Sequence, residues 1–329
     1  MTPTAPATER QRNDNTVGVV MYLLAALLFA LNGVLAKNAI LAGLDPMHLT
    51  QLRNGGAMVV LVGYLAVRNR SAFRVQRSEV WFLIAYGVVA FTLVQYLYFV
   101  TISRLTVGIG TLFAFLAPVF VALWLKFRHR KAVSNRIWLA IALTLVGLIL
   151  VAHLWQGTTA LDPEGVLAGL LCAAALAGYW LLGESGQRHR DPVSLTMWGF
   201  VFASLAWAVI SPWWSFPFDV LEVDTAPFVD GLPGLPVWTI MVWGILMGTI
   251  VPFLLVLGSL RRIGAQRAGI VGTTEPLWAA LIGFVLLGEV ISGVQILGGL
   301  IVLAGVVVAE TSRSSGVAVT PGEFPQILE

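Results

Sequence analysis

Polar side chains are scarce in this chain. Each one inside an apolar run is a candidate for chemistry, because a polar group in a bilayer interior is costly. Glu275 stands in such a run, followed by Pro276. A carboxylate there can hold an ammonium group or take up a proton, and Thr273 and Thr274 can satisfy backbone groups that the proline frees. Arg53, beside Asn54, lies about two turns into another run. It can clamp a carboxylate, snorkel to headgroups, or cap neighbouring carbonyls. Asn32 is the strongly polar group of the first run, suited to a substrate's charged head or to a neighbouring helix. Phe91, Gln95 and Tyr98 are spaced i, i+4, i+7, which puts an amide between two rings on one helical face. That face fits a ligand with a ring and a zwitterionic head, and it equally fits helix packing. Tyr96 and Phe99 fall on the adjacent face and are expected to meet lipid.

Tyr179 and Trp180 would add an aromatic wall with a hydroxyl; a shift of 147 residues carries Asn32 onto Tyr179. Trp278, close after Glu275, joins the same candidate set. Pro118, Pro252 and Pro276 are candidate hinges. Glu184 and Glu289 fall at run ends, where a solvated carboxylate needs no special role. No acid, base and nucleophile converge as a catalyst requires. The histidines His48, His129, His153 and His189 are scattered, and Cys172 is the single cysteine. The chain is therefore read as no enzyme, with no cofactor and no metal.

The elements that must hold these groups are membrane helices. Hydrophobic residues make up 58% of the 329 and charged residues 11%, and the mean hydropathy is +0.85. A soluble chain carries about a quarter charged residues. Ten apolar runs are predicted to span a bilayer: 17–36, 47–67, 80–101, 106–125, 136–155, 164–184, 193–213, 236–257, 267–287 and 291–310. With the N-terminus inside, 17 of the 20 lysines and arginines fall in cytoplasmic segments. Both termini are thus expected in the cytoplasm of a bacterial inner (plasma) membrane. The loop at 212–235 is then external. With Trp213, Trp214, Phe216 and Phe218 at its start, the loop reads as an interfacial rim; the alternative is an acidic funnel of Asp219, Glu222, Asp224 and Asp230.

The chain repeats itself. Asp45-Pro46 returns as Asp191-Pro192, and a shift of 158 lays Arg104 on Arg262, Pro118 on Pro276 and Gly147 on Gly305. Two repeats of five spans must be inverted, because five is odd. The fold expected is an all-α membrane protein of ten transmembrane helices, two inverted five-helix repeats around a central cavity. Its parts are a disordered N-terminus (1–16), a first repeat (17–155), a second repeat (164–310) and a disordered tail (311–329), part of it vector-derived in appearance.

Gly269 to Glu310 carries a recognisable pattern: Glu275-Pro276, Leu287-Gly288-Glu289, Gln295-Ile296-Leu297-Gly298-Gly299 and Gly305-Val306. Leu116-Ala117-Pro118-Val119-Phe120 and Gly147-Leu148 match more loosely in the first half. The chain resembles the EamA family of the drug/metabolite transporter superfamily, and within it is most similar to YddG-type aromatic amino-acid exporters. The first half departs from the family's Gly-Glu pair, with Lys126-Phe127-Arg128-His129-Arg130-Lys131 in its place. The resemblance implies ten helices around a central cavity, spans 5 and 10 at the periphery, and export of aromatic amino acids or related xenobiotics by alternating access. Drug efflux and carriage of another solute, such as a nucleotide sugar, are the alternatives. Phosphorylated ligands need cationic clamps, and Arg53 is the basic residue of the span interiors. The expected partners are a small-molecule substrate and the lipid bilayer, with no nucleic acid.

Overall fold

The computed structural model describes residues 9–316, apart from 118, 122, 125–134, 153–160, 188 and 229–232. The described residues form helices, and the sole pairing of extended chain among them is an isolated bridge between Asp224 and Pro236. In chain order they are α1 (Glu9–Leu41), α2 (Pro46–Arg68), α3 (Val80–Gly87, Val88–Leu93 and Val94–Arg104 in succession), α4 (Val107–Ala114), α5 (Asn135–Ala152), α6 (Pro163–Gly186), α7 (Pro192–Ile210), α8 (Val237–Ile245, Leu246–Ile250 and Val251–Gly272 in succession), α9 (Glu275–Leu287) and α10 (Gly293–Gly316). Five stretches are helical, long and apolar enough to cross a membrane: Asn15–Leu41, Arg77–Arg104, Pro163–Gly183, Pro192–Ile210 and Val237–Val256. Apolar helices at Val107–Val121, Trp138–Val151, Glu275–Leu287 and Gly293–Val308 are shorter.

Local chemistry sets the helix starts. Asp45, Asp162 and Asp191 each precede a proline and accept hydrogen bonds from the first free N–H groups of α2, α6 and α7. A carboxylate cap followed by proline is a strong start signal. The Gly165 N–H holds the Asp162 carboxyl below the usual carboxylate range, and the Glu164 N–H and Arg104 assist against a smaller effect of burial.

Several features recur at the shifts already seen in the sequence. The middle segments of α3 and α8, Val88–Leu93 and Leu246–Ile250, are both π-helical, and a shift of 158 carries 88 onto 246. The same shift carries the turn at Phe115 and Leu116 onto the break at Thr273 and Thr274. Gly18 closes on Arg262 and Ile263, as Gly165 closes on Arg104 and Leu105. Gly147 closes on Gly298 and Val302, as Gly305 closes on Ala140 and Thr144. Helix contacts follow the same rule: α1 packs along α8 as α6 packs along α3, and α1 meets α9 as α6 meets α4. The pairs α2/α7, α4/α9 and α5/α10 map onto themselves.

Some boundaries differ from expectation. Helix α1 begins at Glu9, inside the segment expected to be disordered, and α10 runs on to Gly316. The loop expected at 258–266 is helical; α8 continues to Gly272 and the chain breaks only at Thr273-Thr274. Arg261, Arg262, Gln266 and Arg267 are good helix formers, so charge marks a membrane exit without ending the helix. Phe216 is not part of an exposed rim. It is 5% exposed and packs with Leu44, Leu49 and Val220, whereas Trp214 and Phe218 are exposed.

Two ends of the bundle are tied by polar contacts. At one, Arg190 donates to the Ala72 and Arg74 carbonyls, to Ser194 and to Glu79 (2.8 Å), and Trp198 Nε1 donates to the same Ala72 carbonyl. At the other, Ser211 and Ala226 meet α2 and α1: Asn38 Nδ2 donates to the Ala226 carbonyl at 3.0 Å and Gln51 Nε2 to the Ser211 carbonyl at 2.6 Å.

Candidate functional site

Arg53 organises the interior. Pro252 has no N–H to offer a carbonyl one turn back in α8. In that turn the Gly248 carbonyl accepts from Arg53 Nη2 at 2.7 Å instead. Arg53 Nε donates to Thr249 Oγ1 at 2.8 Å, and Thr249 Oγ1 donates to the Gly244 carbonyl at 3.0 Å. The guanidinium also lies over the Phe99 ring, 5.4 Å from its centroid. Phe99 is 1% exposed and does not face lipid as expected. Arg53 is not at the headgroups either; of its expected alternatives, capping of a carbonyl is what its geometry contains. Its neighbour Asn54 donates Nδ2 to the Phe91 carbonyl at 3.1 Å. Adjacent side chains of α2 therefore hold one carbonyl in each of the two π-helical segments.

Asn32 reaches the same part of α8 from α1. A Cβ on Gly248 would land on Asn32 Oδ1, and one on Gly244 would lie 3.3 Å from it. Glycine at both positions lets the amide lie against the backbone. Tyr98 shares a hydrogen bond with Thr111 across 3.2 Å, and its hydroxyl occupies the space where a Gly33 Cβ would stand. Glu275 is half-buried at the first residue of α9, where the positive end of a helix favours a carboxylate. Asn32, Arg53 and Tyr98 thus bring an amide, a guanidinium and a phenol into the packed interior from α1, α2 and α3, and Glu275 opens α9.

The remaining candidates are dispersed. Phe91 is 2% exposed and packs in an aromatic cluster, 4.2 Å from Phe200, 5.6 Å from Tyr86 and 6.0 Å from Tyr179, centroid to centroid. Phe91 and Tyr98 belong to different packed clusters. The π-helical turn between Val88 and Leu93 rotates the face, so the i, i+4, i+7 alignment does not hold. Gln95 Oε1, Asn54 Oδ1, Gln51 Oε1 and Thr92 Oγ1 are buried without a hydrogen-bond partner among the described residues. Such acceptors cost about 1–3 kcal/mol each unless water or a ligand meets them. Trp180 faces outward at 37% exposure, and Trp278 is half-buried against the cluster that holds Phe99. Pro276 follows the α8–α9 break directly, Pro252 is buried beside the π-helical turn, and Pro118 lies outside the described residues. A small open cleft of about 30 Å³ between α2, α7 and α8 is lined by Leu61, Val193, Phe200, Phe253 and Thr249. Thr249 joins that cleft to Arg53.

Sequence reasoning passes over Glu289. It is not a solvated carboxylate: Lys37 Nζ donates to its Oε1 at 2.5 Å, the Val107 N–H donates to its Oε2 at 2.9 Å, and its side chain is 8% exposed. The signal available is Gly288, which adopts φ +65° and turns the chain back over α9. The side chain of Glu184 lies outside the described residues.

The EamA-like transporter family matches this chain twice, over residues 16–153 and 163–311. An uncharacterized transporter of Archaeoglobus fulgidus is 26% identical, with 89% of this chain and 96% of the relative covered. The threonine/homoserine exporter RhtA of Salmonella typhimurium is 25% identical, covering 92% of this chain and 93% of its own. The uncharacterized inner membrane transporter YicL of the same species is 24% identical over 88% of this chain and 94% of its own. A crystal structure of a protein 16% identical in sequence superposes with a TM-score of 0.54, covering 94% of this chain and 99% of that one. The three relatives are named as transporters or as an exporter. The chain is a multi-pass membrane transporter and belongs to the EamA-like transporter family.

Proposed function

We propose that this protein exports amino acids across the bacterial inner membrane by alternating access. Ten spans form two inverted five-helix repeats with both termini in the cytoplasm. The observation that supports the substrate class is a buried guanidinium, Arg53, over Phe99, in the cluster against which Trp278 packs, on the helix that Glu275 opens. A zwitterionic head has one group for each: the carboxylate for the guanidinium and the ammonium for the carboxylate. A nucleotide sugar would leave Glu275 facing a phosphate of like charge. The relation to threonine/homoserine exporters supports the same class. The repeated π-helical turns and paired helix breaks support the inverted repeat, since broken helices near the midplane are where such carriers bind their ligands.

Aromatic amino acids are the narrower form of this proposal. Phe91 and Tyr179 are spent on each other, so the rings left for such a ligand are Tyr98 and Trp278. Purified protein in liposomes loaded with labelled threonine, homoserine, phenylalanine or tryptophan tests both forms. Efflux of an amino acid, reduced at least about tenfold by Arg53→Gln, is the expected result. Movement of a nucleotide sugar with no amino acid moving overturns the proposal. Cysteines at positions 74 and 220 labelled from the same side of the membrane overturn the topology.

A further inference from the structure

We infer that Lys37 and Glu289 form a charge latch that must part each time the end of the bundle where α1, α4 and α9 meet opens. The inference rests on the transporter reading above and adds the residues that gate it.

Three helices meet at this pair. Lys37, near the end of α1, donates to Glu289 Oε1 at 2.5 Å and to the Leu105 carbonyl at 2.6 Å. The second carboxylate oxygen receives the Val107 N–H at 2.9 Å, at the positive end of α4. Glu289 comes from the turn after α9. One carboxylate thus joins the second family-matched segment to two helices of the first. The turn is built for this placement. Gly288 at φ +65° reverses the chain, the Glu289 N–H returns to the Gly283 carbonyl at 3.2 Å, and a Cβ on Gly283 would sit 2.6 Å from Glu289 Oε2. Glycine at 283 leaves the room that the carboxylate occupies.

The pair is suited to repeated opening. The two side chains are 13% and 8% exposed, just under the surface at a helix end. A buried ion pair gains little over two hydrated ions, because attraction and lost hydration nearly cancel. Parting the helices returns both charges to water, so the closed and open arrangements lie close in free energy. An apolar contact in the same place would favour closure alone.

Alkylation of a single cysteine tests this. Ala279 is fully buried and lies one turn inward of Gly283 on the same helix face. Ala279→Cys in a Cys172→Ser background, held in nanodiscs so that both faces meet the reagent, reports opening. The parent should react slowly. Lys37→Met, Glu289→Gln and Gly283→Ala should each speed alkylation at least about tenfold, the last with both charges intact. The exchange Lys37→Glu with Glu289→Lys should slow it again relative to either single change. Unchanged rates in the folded variants, or rates that rise only with the unfolded fraction, overturn the latch. The same proteins in liposomes separate the two claims. A labelling response with no amino-acid flux in any preparation sinks the proposed function and leaves the latch. Flux in the parent without a labelling response sinks the latch alone.

Discussion

Arg53 has two calls on it, and they can be separated. Its fork bonds the Gly248 carbonyl and the Thr249 hydroxyl beside Pro252, and its charge lies over the Phe99 ring. Pro252→Ala would give α8 an N–H with which to compete for that turn of carbonyls, loosening the guanidinium without removing it. Unfolding temperature in detergent should stay equal or rise, while the liposome efflux rate falls. A fall in both would mean that the proline itself holds the fold. Asn54→Leu should cost about 1–3 kcal/mol in denaturant unfolding, since it strips the partner from a buried carbonyl. The polar groups of the site are legible in the sequence as oddities in apolar runs. Their partners are not, because the carbonyl that needs a donor depends on where a helix takes an extra residue per turn. Phe91 illustrates the failure: its spacing to Tyr98 suits a straight α-helix, and the π-helical turn moves it into the Tyr86, Tyr179 and Phe200 cluster.

Among the elements, α5 and α10 approach backbone to backbone. Gly147 and Gly298 face each other's carbonyl oxygens, with hypothetical Cβ atoms 2.6 and 2.7 Å from them. In lipid there is little hydrophobic drive between helices, so such small-residue seams supply the packing. Gly147→Leu should lower stability by about 1–3 kcal/mol, read from the unfolding transition. Gly63→Leu, with nothing within 4 Å of the added atom, should change it by no more than about 0.5 kcal/mol. Apolar runs and the aspartate–proline starts make most helices readable in advance. The junction of α8 and α9 is not, because arginines that suggest a loop are also good helix formers, and the real break falls at two threonines.

At the scale of the whole molecule, the connection between α7 and α8 is longer than residues 69–79, its counterpart between α2 and α3. Phe216 anchors it among Leu44, Leu49 and Val220, and Phe216→Ala should cost about 3–5 kcal/mol. Hydrogen exchange confined to the α1–α2 turn and this segment would check that the loss is local. The sequence reads the aromatic cluster as membrane anchoring, since a ring that faces lipid and a ring that faces another loop have the same spelling.

That unequal cover has a kinetic meaning. A carrier with two matched doors would spend similar time open to each side; under the proposed alternating access, the longer connection between α7 and α8 would bolt one of them. Such a bolt sets only which side waits empty and how often a binding site is offered to it. Net flow still runs down the gradient of the cargo or of whatever is exchanged for it, so shortening the cover should change the turnover rate and leave the final accumulation ratio where it was.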